Sequence, residues 1–133
     1  MKSVVVVPFI VGVLLLAALS RDTVLAMQPA GTGDAARGKQ VFEKRCTGCH
    51  TMEADREGPR LAGVFGRKAG SVAGYAYSVG LKKSGTNGLV WDDASLQKWL
   101  SDPDAMVPDN NMEFQVPHVQ ERVDLIAYLK QVK

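Results

Sequence analysis

Cys46-Thr47-Gly48-Cys49-His50 is the most informative stretch of this sequence. Two cysteines three positions apart, followed at once by a histidine, form the C-x-x-C-H spacing that is typical of c-type haem attachment. Each thiol can add across one vinyl group of the ring, which gives two thioether bonds. His50 is then placed to bring a ring nitrogen to the iron from the same side. We therefore expect one covalently attached haem c per chain, bound through Cys46 and Cys49, with His50 as an iron ligand.

The motif has three alternative interpretations. A thioredoxin-like redox pair needs a preceding strand and a parallel sheet, and the pattern of the chain indicates neither. A zinc site needs four ligands, but the chain offers one further histidine, His118, and no further cysteine. A structural disulfide between the two cysteines would leave the adjacent histidine unexplained.

The composition fits one small globular domain. The chain has 133 residues, 46% hydrophobic and 23% charged, which is ordinary for a soluble fold. Two cysteines exclude a disulfide-dense scaffold and an iron–sulfur cluster with four thiolates from this chain. The net charge falls from +2 to about +1 when residues 1–26 are excluded, so nucleic-acid binding driven by phosphate neutralisation is not expected.

The N-terminus has the pattern of an export signal. Lys2 precedes an apolar run over residues 4–19, and Val24-Leu25-Ala26 supplies a cleavage site of small residues. The run is shorter than the about twenty residues that a bilayer span needs, which favours cleavage over an uncleaved membrane anchor. We expect residues 1–26 to be a signal peptide, or else an N-terminal anchor, and residues 27–33 to be a flexible lead-in. Residues 34–133 then form the domain, which would lie in the periplasm.

Three segments have helical patterns. Asp34 can cap a helix that runs to about Arg45. Asp92 or Asp93 can cap a second helix, which ends before Pro103. A third is expected over residues 119–132, with an apolar stripe on one face. Its opposite, water-facing side is expected to carry the charged residues Glu121, Arg122, Asp124 and Lys130.

A glycine-rich stretch over residues 58–88 separates the first two helices and has no sustained alternation of polar and apolar residues. A strand-rich fold is therefore not expected. Long irregular segments are uncommon in a small domain unless something organises them, and a buried flat cofactor would do so. The expected fold class is all-α, with three main helices and long loops wrapped around one covalent haem.

The chain also resembles the class I cytochromes c, close to the mitochondrial type and its bacterial relatives. The likeness covers residues 33–130, nearly all of the expected domain. The most specific matching pieces are Gly63-Val64-Phe65-Gly66-Arg67-Lys68 and Asp124-Leu125-Ile126-Ala127-Tyr128-Leu129-Lys130. The other matching pieces are Gly33-Asp34 through Gly38-Lys39, Phe42, the Cys46–His50 motif, Gly58-Pro59, Tyr75-Ala76-Tyr77-Ser78, Trp91, Pro103 and Met112.

The resemblance implies a methionine as the second iron ligand. Met106 and Met112 both lie between the second and third predicted helices, and the resemblance favours Met112, which follows Pro108. A bis-histidine iron with His118 is the alternative, but His118 is interpreted as a surface residue beside Pro117. Met106 is expected to pack where the family usually has a tyrosine.

The resemblance also assigns residues around the haem. The carbonyl of Pro59 would accept a hydrogen bond from His50 and fix the orientation of its ring. Arg67, Tyr77 and Trp91 would surround the haem propionates. Trp99 stands where the family has a tyrosine that donates towards the methionine sulfur, and Leu81 stands in place of a polar residue.

The resemblance implies a one-electron carrier outside the cytoplasm, a monomer that is not an enzyme. Its expected partners are redox proteins: a membrane oxidoreductase complex, a terminal oxidase or a periplasmic dehydrogenase. The alternative is a haem subunit bound permanently to such a dehydrogenase. Weak peroxidase activity after loss of Met112 is a third possibility.

Docking is where the chain departs most from the family. Asp104, Ala105 and Asn111 stand where the family has lysines. We therefore expect docking to depend on apolar contact around the haem edge, with Phe114 contributing. The alternative is a basic patch that the linear sequence hides, formed by Lys39, Lys44, Arg45, Lys82 and Lys83.

Overall fold

The computed structural model describes residues 31–133. The helices in chain order are α1 (Ala35–Arg45), α2 (Val79–Thr86), α3 (Asp93–Ser101), α4 (Pro103–Met106) and α5 (Val119–Leu129). Between them run long loops, and the only pairing of extended backbone within this part of the chain is an isolated antiparallel bridge between Lys68 and Val90. The architecture is all-α, as the sequence predicted. The predicted signal peptide and most of the lead-in lie outside the described residues.

The first and last helices, α1 and α5, pack against each other and form the centre of the fold. Gly38 makes their close approach possible, since a Cβ there would lie 1.9 Å from the backbone oxygen of Asp124. Phe42 on α1 and Tyr128 on α5 meet with ring centroids 5.7 Å apart. Gly33, the last residue of the predicted lead-in, also lies against the α5 backbone at Val123.

The caps of α1 and α3 lie where the sequence predicts them. Asp34 accepts a hydrogen bond from the backbone N–H of Arg37 and begins α1. Asp92, rather than Asp93, caps α3 and forms a reciprocal capping box with Ser95. The third predicted helix begins at Val119 as expected but ends at Leu129, three residues before the predicted end at Val132.

Two helices were not predicted. The α2 helix lies inside the stretch that was expected to be irregular, and it contains two glycines, which are poor helix formers. Tertiary packing explains it: a Cβ on Gly85 would lie 1.9 Å from the oxygen of Ala69, and one on Gly80 would lie 2.4 Å from the oxygen of Pro108. The four-residue α4 begins with Pro103 at its first position, where a proline is well tolerated.

The prediction that Arg122 and Asp124 face water is wrong, because both are buried. Asp124 accepts hydrogen bonds from the backbone N–H of Asp34 and from the side chain of Arg37. Arg122 donates to the carbonyl oxygen of Val116 at 2.7 Å. These partners are distant in sequence from α5 or lie before it, so the helical pattern of α5 does not reveal them.

The core of the described part is one cluster of buried apolar residues drawn from α1, α3, α5 and the loops. No helix within residues 31–133 is long and apolar enough to cross a membrane.

Candidate functional site

A cavity of about 360 Å³ lies between α1, α3, α5 and the loops. Apolar side chains make much of its wall, including Phe42, Leu61, Val64, Leu96, Leu100, Leu125 and Leu129. Every residue that the sequence singled out for the cofactor lines this cavity: Cys46, Cys49, His50, Pro59, Arg67, Tyr77, Trp91, Trp99 and Met112. The loops and helices thus bring together residues from positions 46 to 112.

The two cysteines follow the end of α1, which presents them to the cavity. The backbone N–H of Cys46 bonds to the oxygen of Phe42, and the N–H of His50 bonds to the oxygen of Cys46 at 2.8 Å. The chain therefore turns tightly through the motif. Both cysteines are free of disulfide bonds. Burial raises the pKa of the Cys46 thiol to about 11, so this thiol is uncharged at neutral pH.

His50 is held in one orientation. Its Nδ1 lies 2.8 Å from the carbonyl oxygen of Pro59, which can only accept, so Nδ1 carries the proton. Burial lowers the pKa of His50, and the hydrogen bond to Pro59 opposes this shift. The ring is therefore neutral, and its Nε2 lone pair is available to a metal ion.

Gly58 gives the ring of His50 its space. A Cβ on Gly58 would lie 2.2 Å from Cε1 of His50, so any larger residue would displace the ring. The sequence showed the pair Gly58-Pro59 but not this role of the glycine. The available signal for this role was the position of Gly58, immediately before the proline whose carbonyl oxygen was expected to accept a hydrogen bond from His50.

Met112 is partly buried and lines the cavity. Met106 lines a separate surface groove with Lys98, Ser101, Asp102 and Ala105 instead. His118 is exposed at the start of α5 and does not line the cavity. The structure therefore brings Met112 to the cavity that His50 lines, and it brings neither Met106 nor His118 there.

Aromatic and polar side chains complete the wall. Trp91 and Trp99 pack with ring centroids 5.3 Å apart. Tyr77 packs edge-on against Tyr75 at 4.7 Å. Two guanidinium nitrogens of Arg67 donate to the carbonyl oxygens of Ala62 and Arg60, so Arg67 also closes the loop beneath the cavity.

Leu81 and Ser78 bring the start of α2 to the cavity. The sequence missed this helix, and with it the wall that Ser78 and the apolar side of α2 supply. Ser78 caps α2 by accepting from the N–H of Leu81, and this serine was the local signal for a helix.

The residues present fit a covalently bound haem. Two free cysteines line a largely apolar cavity, and a neutral histidine with an available nitrogen follows them. A zinc site is not supported, because no group of three or more His, Cys, Asp or Glu side chains within residues 31–133 is arranged to hold a metal ion.

Comparisons with known proteins support the interpretation of the cavity as a site for covalently bound haem. The cytochrome c family model matches residues 35–133. Cytochrome c of Euglena viridis is 43% identical over 104 residues, which cover 76% of this chain and 99% of that protein.

Solved structures of bacterial proteins give the same result. Cytochrome cH from Methylobacterium extorquens is 47% identical with a TM-score of 0.68, over 74% of this chain and 98% of that one. Ferricytochrome c2 from Rhodopseudomonas palustris is 38% identical with a TM-score of 0.71, over 75% and 99%. The family match covers residues 35–133, and the motif cysteines lie at the cavity wall. The chain therefore belongs to the cytochrome c family, whose members carry electrons on covalently attached haem c and are not enzymes.

Proposed function

We propose that this protein is a periplasmic electron carrier whose haem iron is held by His50 and Met112. The observation that carries the proposal is that Met112, alone among the methionines of residues 31–133, lines the same cavity as His50. The neutral imidazole of His50 and the thioether of Met112 would then be the two ligands that the protein gives to the iron. A methionine ligand raises the reduction potential of haem iron, which suits a carrier.

The bound haem supplies a one-electron Fe(II)/Fe(III) couple. The chain contributes the environment of that couple. The hydrogen bond from Nδ1 of His50 to the carbonyl oxygen of Pro59 fixes the orientation of the ring. It also makes Nε2 a stronger electron-pair donor to the iron. The apolar wall excludes water and lowers the local dielectric. With both His50 and Met112 bound, the iron would have no open position for oxygen or peroxide, so the protein would transfer electrons and transform no substrate.

The polar residues of the wall have a second role in this proposal. Arg67, Tyr77 and Trp91 would surround the haem propionates, since a buried carboxylate needs donors nearby. Trp99 is buried against Trp91 and stands where the family has a tyrosine that donates towards the methionine sulfur. Trp99 would thereby influence the strength of the bond between Met112 and iron.

Replacement of Met112 tests the ligand assignment. The oxidised protein should show the weak sulfur-to-iron charge-transfer band near the red end of the visible spectrum, and Met112→Ala should abolish it. Met106→Ala is the matched control, because Met106 lies in the same connection between α3 and α5 but outside the cavity. A band that survives Met112→Ala and disappears in Met106→Ala would overturn the assignment.

The periplasmic location depends on residues 1–26, which we propose to be a cleaved signal peptide. An uncleaved anchor is the alternative. N-terminal sequencing of the protein from its native source should give Met27 as the first residue. A chain that still begins at Met1 and stays with the membrane fraction would contradict cleavage.

Docking by apolar contact is the proposed mode of partner recognition. Phe114 is 43% exposed and lines the cavity, so it offers apolar surface at the edge of the haem site. The structure gives less support to docking through the alternative basic patch, because two of its five residues are close to acidic side chains. Arg45 is paired with Glu121 at 2.9 Å, and Lys39 lies 3.8 Å from Glu43.

The salt dependence of electron transfer distinguishes the two modes. Opposed charges on a small face cancel beyond a Debye length of about 10 Å at 0.1 M salt. The bimolecular rate with the native redox partner should therefore depend weakly on ionic strength. A steep fall in the rate with rising salt would mean that the basic patch guides docking.

A haem subunit of a periplasmic dehydrogenase remains the second candidate. A free carrier should purify without a partner, whereas a subunit should copurify with a dehydrogenase at fixed stoichiometry. Copurification from the native source decides between them.

A further inference from the structure

The loop that carries Met112 is organised by the side chain of Asn110. The amide nitrogen of Asn110 donates to Oδ1 of Asp104 at 2.6 Å and to the carbonyl oxygen of Val107 at 3.1 Å. The amide oxygen of Asn110 accepts from the backbone N–H of Met112, also at 2.6 Å. One partly buried side chain thus connects α4 to the backbone of Met112.

The surrounding backbone gives this loop little other support. Among the backbone N–H groups of residues 109–115, only that of Met112 donates a hydrogen bond to a group within residues 31–133. The next backbone hydrogen bond is at Val116, whose N–H donates to the carbonyl oxygen of Leu100 at 2.7 Å. Asp109 turns the chain with a φ of 61°, in the left-handed region. The place of Met112 relative to α4 therefore depends on Asn110.

Asp104 determines which way the amide of Asn110 faces. An ionised carboxylate only accepts hydrogen bonds, so the NH₂ group of Asn110 must face it. The amide oxygen is then turned towards the N–H of Met112. The two short hydrogen bonds act together, because the first orients the group that makes the second.

We propose that Asn110 is a positioning residue for Met112, with Asp104 as the group that orients it. The proposal rests on the proposed role of Met112 as an iron ligand. Asn110 restrains the loop so that the thioether of Met112 stays at the cavity and excludes small external ligands from that position.

Binding of imidazole to the oxidised holoprotein tests the proposal, because imidazole must displace Met112 to reach the iron. Asn110→Ala should bind imidazole about tenfold more tightly, the factor expected when one or two hydrogen bonds that hold the closed loop are lost. Gln115→Ala is the matched control: Gln115 carries the same kind of amide in the same loop, is exposed, does not line the cavity and has no hydrogen bond to any described residue. Its imidazole affinity should equal that of the unaltered protein.

A reversed pair tests the orientation directly. Asn110→Asp places two carboxylates together, so it should weaken the loop and raise imidazole affinity. Adding Asp104→Asn should lower the imidazole affinity again, because the new amide can donate to the new carboxylate, which still accepts from Met112. The recovery should be partial, since a carboxylate at position 110 cannot donate to the carbonyl oxygen of Val107. A general loss of stability would not be repaired in this way. The single variant Asn110→Asp and the double variant still test the proposal if Asn110→Ala does not fold.

The outcomes separate this proposal from the ligand assignment. If the charge-transfer band is absent from the unaltered protein, or is insensitive to Met112→Ala, the ligand assignment fails. If the band is present but Asn110→Ala binds imidazole no more tightly than Gln115→Ala, the positioning role of Asn110 is wrong. A double variant that binds imidazole as tightly as Asn110→Asp alone would overturn the role of Asp104.

Discussion

Replacing Asp124 by asparagine measures how strongly the contact between α1 and α5 stabilises the domain. Asp124 is 3% exposed and accepts four hydrogen bonds, three of which come from residues at the start of α1. Its Oδ1 accepts from the backbone N–H of Asp34 at 2.8 Å, from Nη2 of Arg37 at 3.0 Å and from the side chain of Gln120 at 2.9 Å. Its Oδ2 accepts from Nε of Arg37 at 2.8 Å.

The geometry gives the size of the effect. The amide oxygen of an introduced asparagine can keep the bonds at the Oδ1 position, but its NH₂ group would face Nε of Arg37. One charge-assisted hydrogen bond is lost outright, which costs about 1.5–3 kcal/mol. The side chain of Arg37 is 44% exposed, so water can solvate the released donor. We expect Asp124→Asn to lower the free energy of unfolding by about 2–3 kcal/mol and Tm by roughly 10–20 °C.

The effect should depend on pH. Burial by itself would raise the pKa of Asp124, but the hydrogen bonds from Arg37, Asp34 and Gln120 outweigh it and hold the pKa below its ordinary value. A lowered folded pKa means that the stabilisation is complete above the unfolded pKa of about 4 and is lost as pH falls through the folded value. The unaltered protein and Asp124→Asn should therefore differ most near pH 6 and converge in acid.

Guanidinium unfolding of the holoprotein, followed by circular dichroism at several pH values, is the assay. Asp93→Asn is the matched control, since Asp93 pairs with Lys130 at 2.6 Å but its side chain is 64% exposed. A surface pair contributes about 0–1 kcal/mol. The reasoning is refuted if Asp124→Asn costs no more than Asp93→Asn, or if its cost is unchanged at low pH.

Three further substitutions follow from close contacts. Gly38→Ala would place a Cβ 1.9 Å from the oxygen of Asp124 and should cost about 3 kcal/mol by forcing α1 from α5; an unchanged Tm would contradict this. Gly58→Ala should displace the ring of His50 and shift its hyperfine-shifted NMR resonances in the oxidised protein, with helix content unchanged; identical resonances would show that the ring is not confined there. Ser95→Ala removes the capping box of α3 and should cost about 1 kcal/mol in denaturant unfolding; a midpoint equal to that of the unaltered protein would rule out a stabilising cap.

Local signals were sufficient for much of the fold. Asp34 at the start of α1 and Asp92 and Pro103 at the two ends of α3 are local signals, and those two helices lie where the sequence predicts them. The α2 helix is different, because its two glycines oppose a helix locally. It forms where they fit against backbone from other parts of the chain, which no local pattern shows.

In the candidate site, too, some features follow from local sequence and others depend on contacts between distant residues. The cysteines and His50 form one contiguous motif, and their placement at the cavity follows from the end of α1. The hydrogen bonds of Asn110 were not predicted, because an asparagine in a loop has many possible partners. Asp104 lies six residues earlier, and only the turn at Asp109 brings the two together.

The two sides of the cavity therefore differ in how firmly they are held. His50 follows α1 directly, its N–H and its ring both have backbone partners, and α1 is packed against α5. Met112 belongs to a loop whose backbone has one hydrogen bond within the described chain between residues 109 and 115, and a side chain supplies its acceptor. Local opening costs least where buried contacts and hydrogen bonds are fewest. The loop of Met112 should thus open before the segment of His50 does. An iron held between them would lose its methionine first, while the thioether bonds at Cys46 and Cys49 and the histidine still hold the haem.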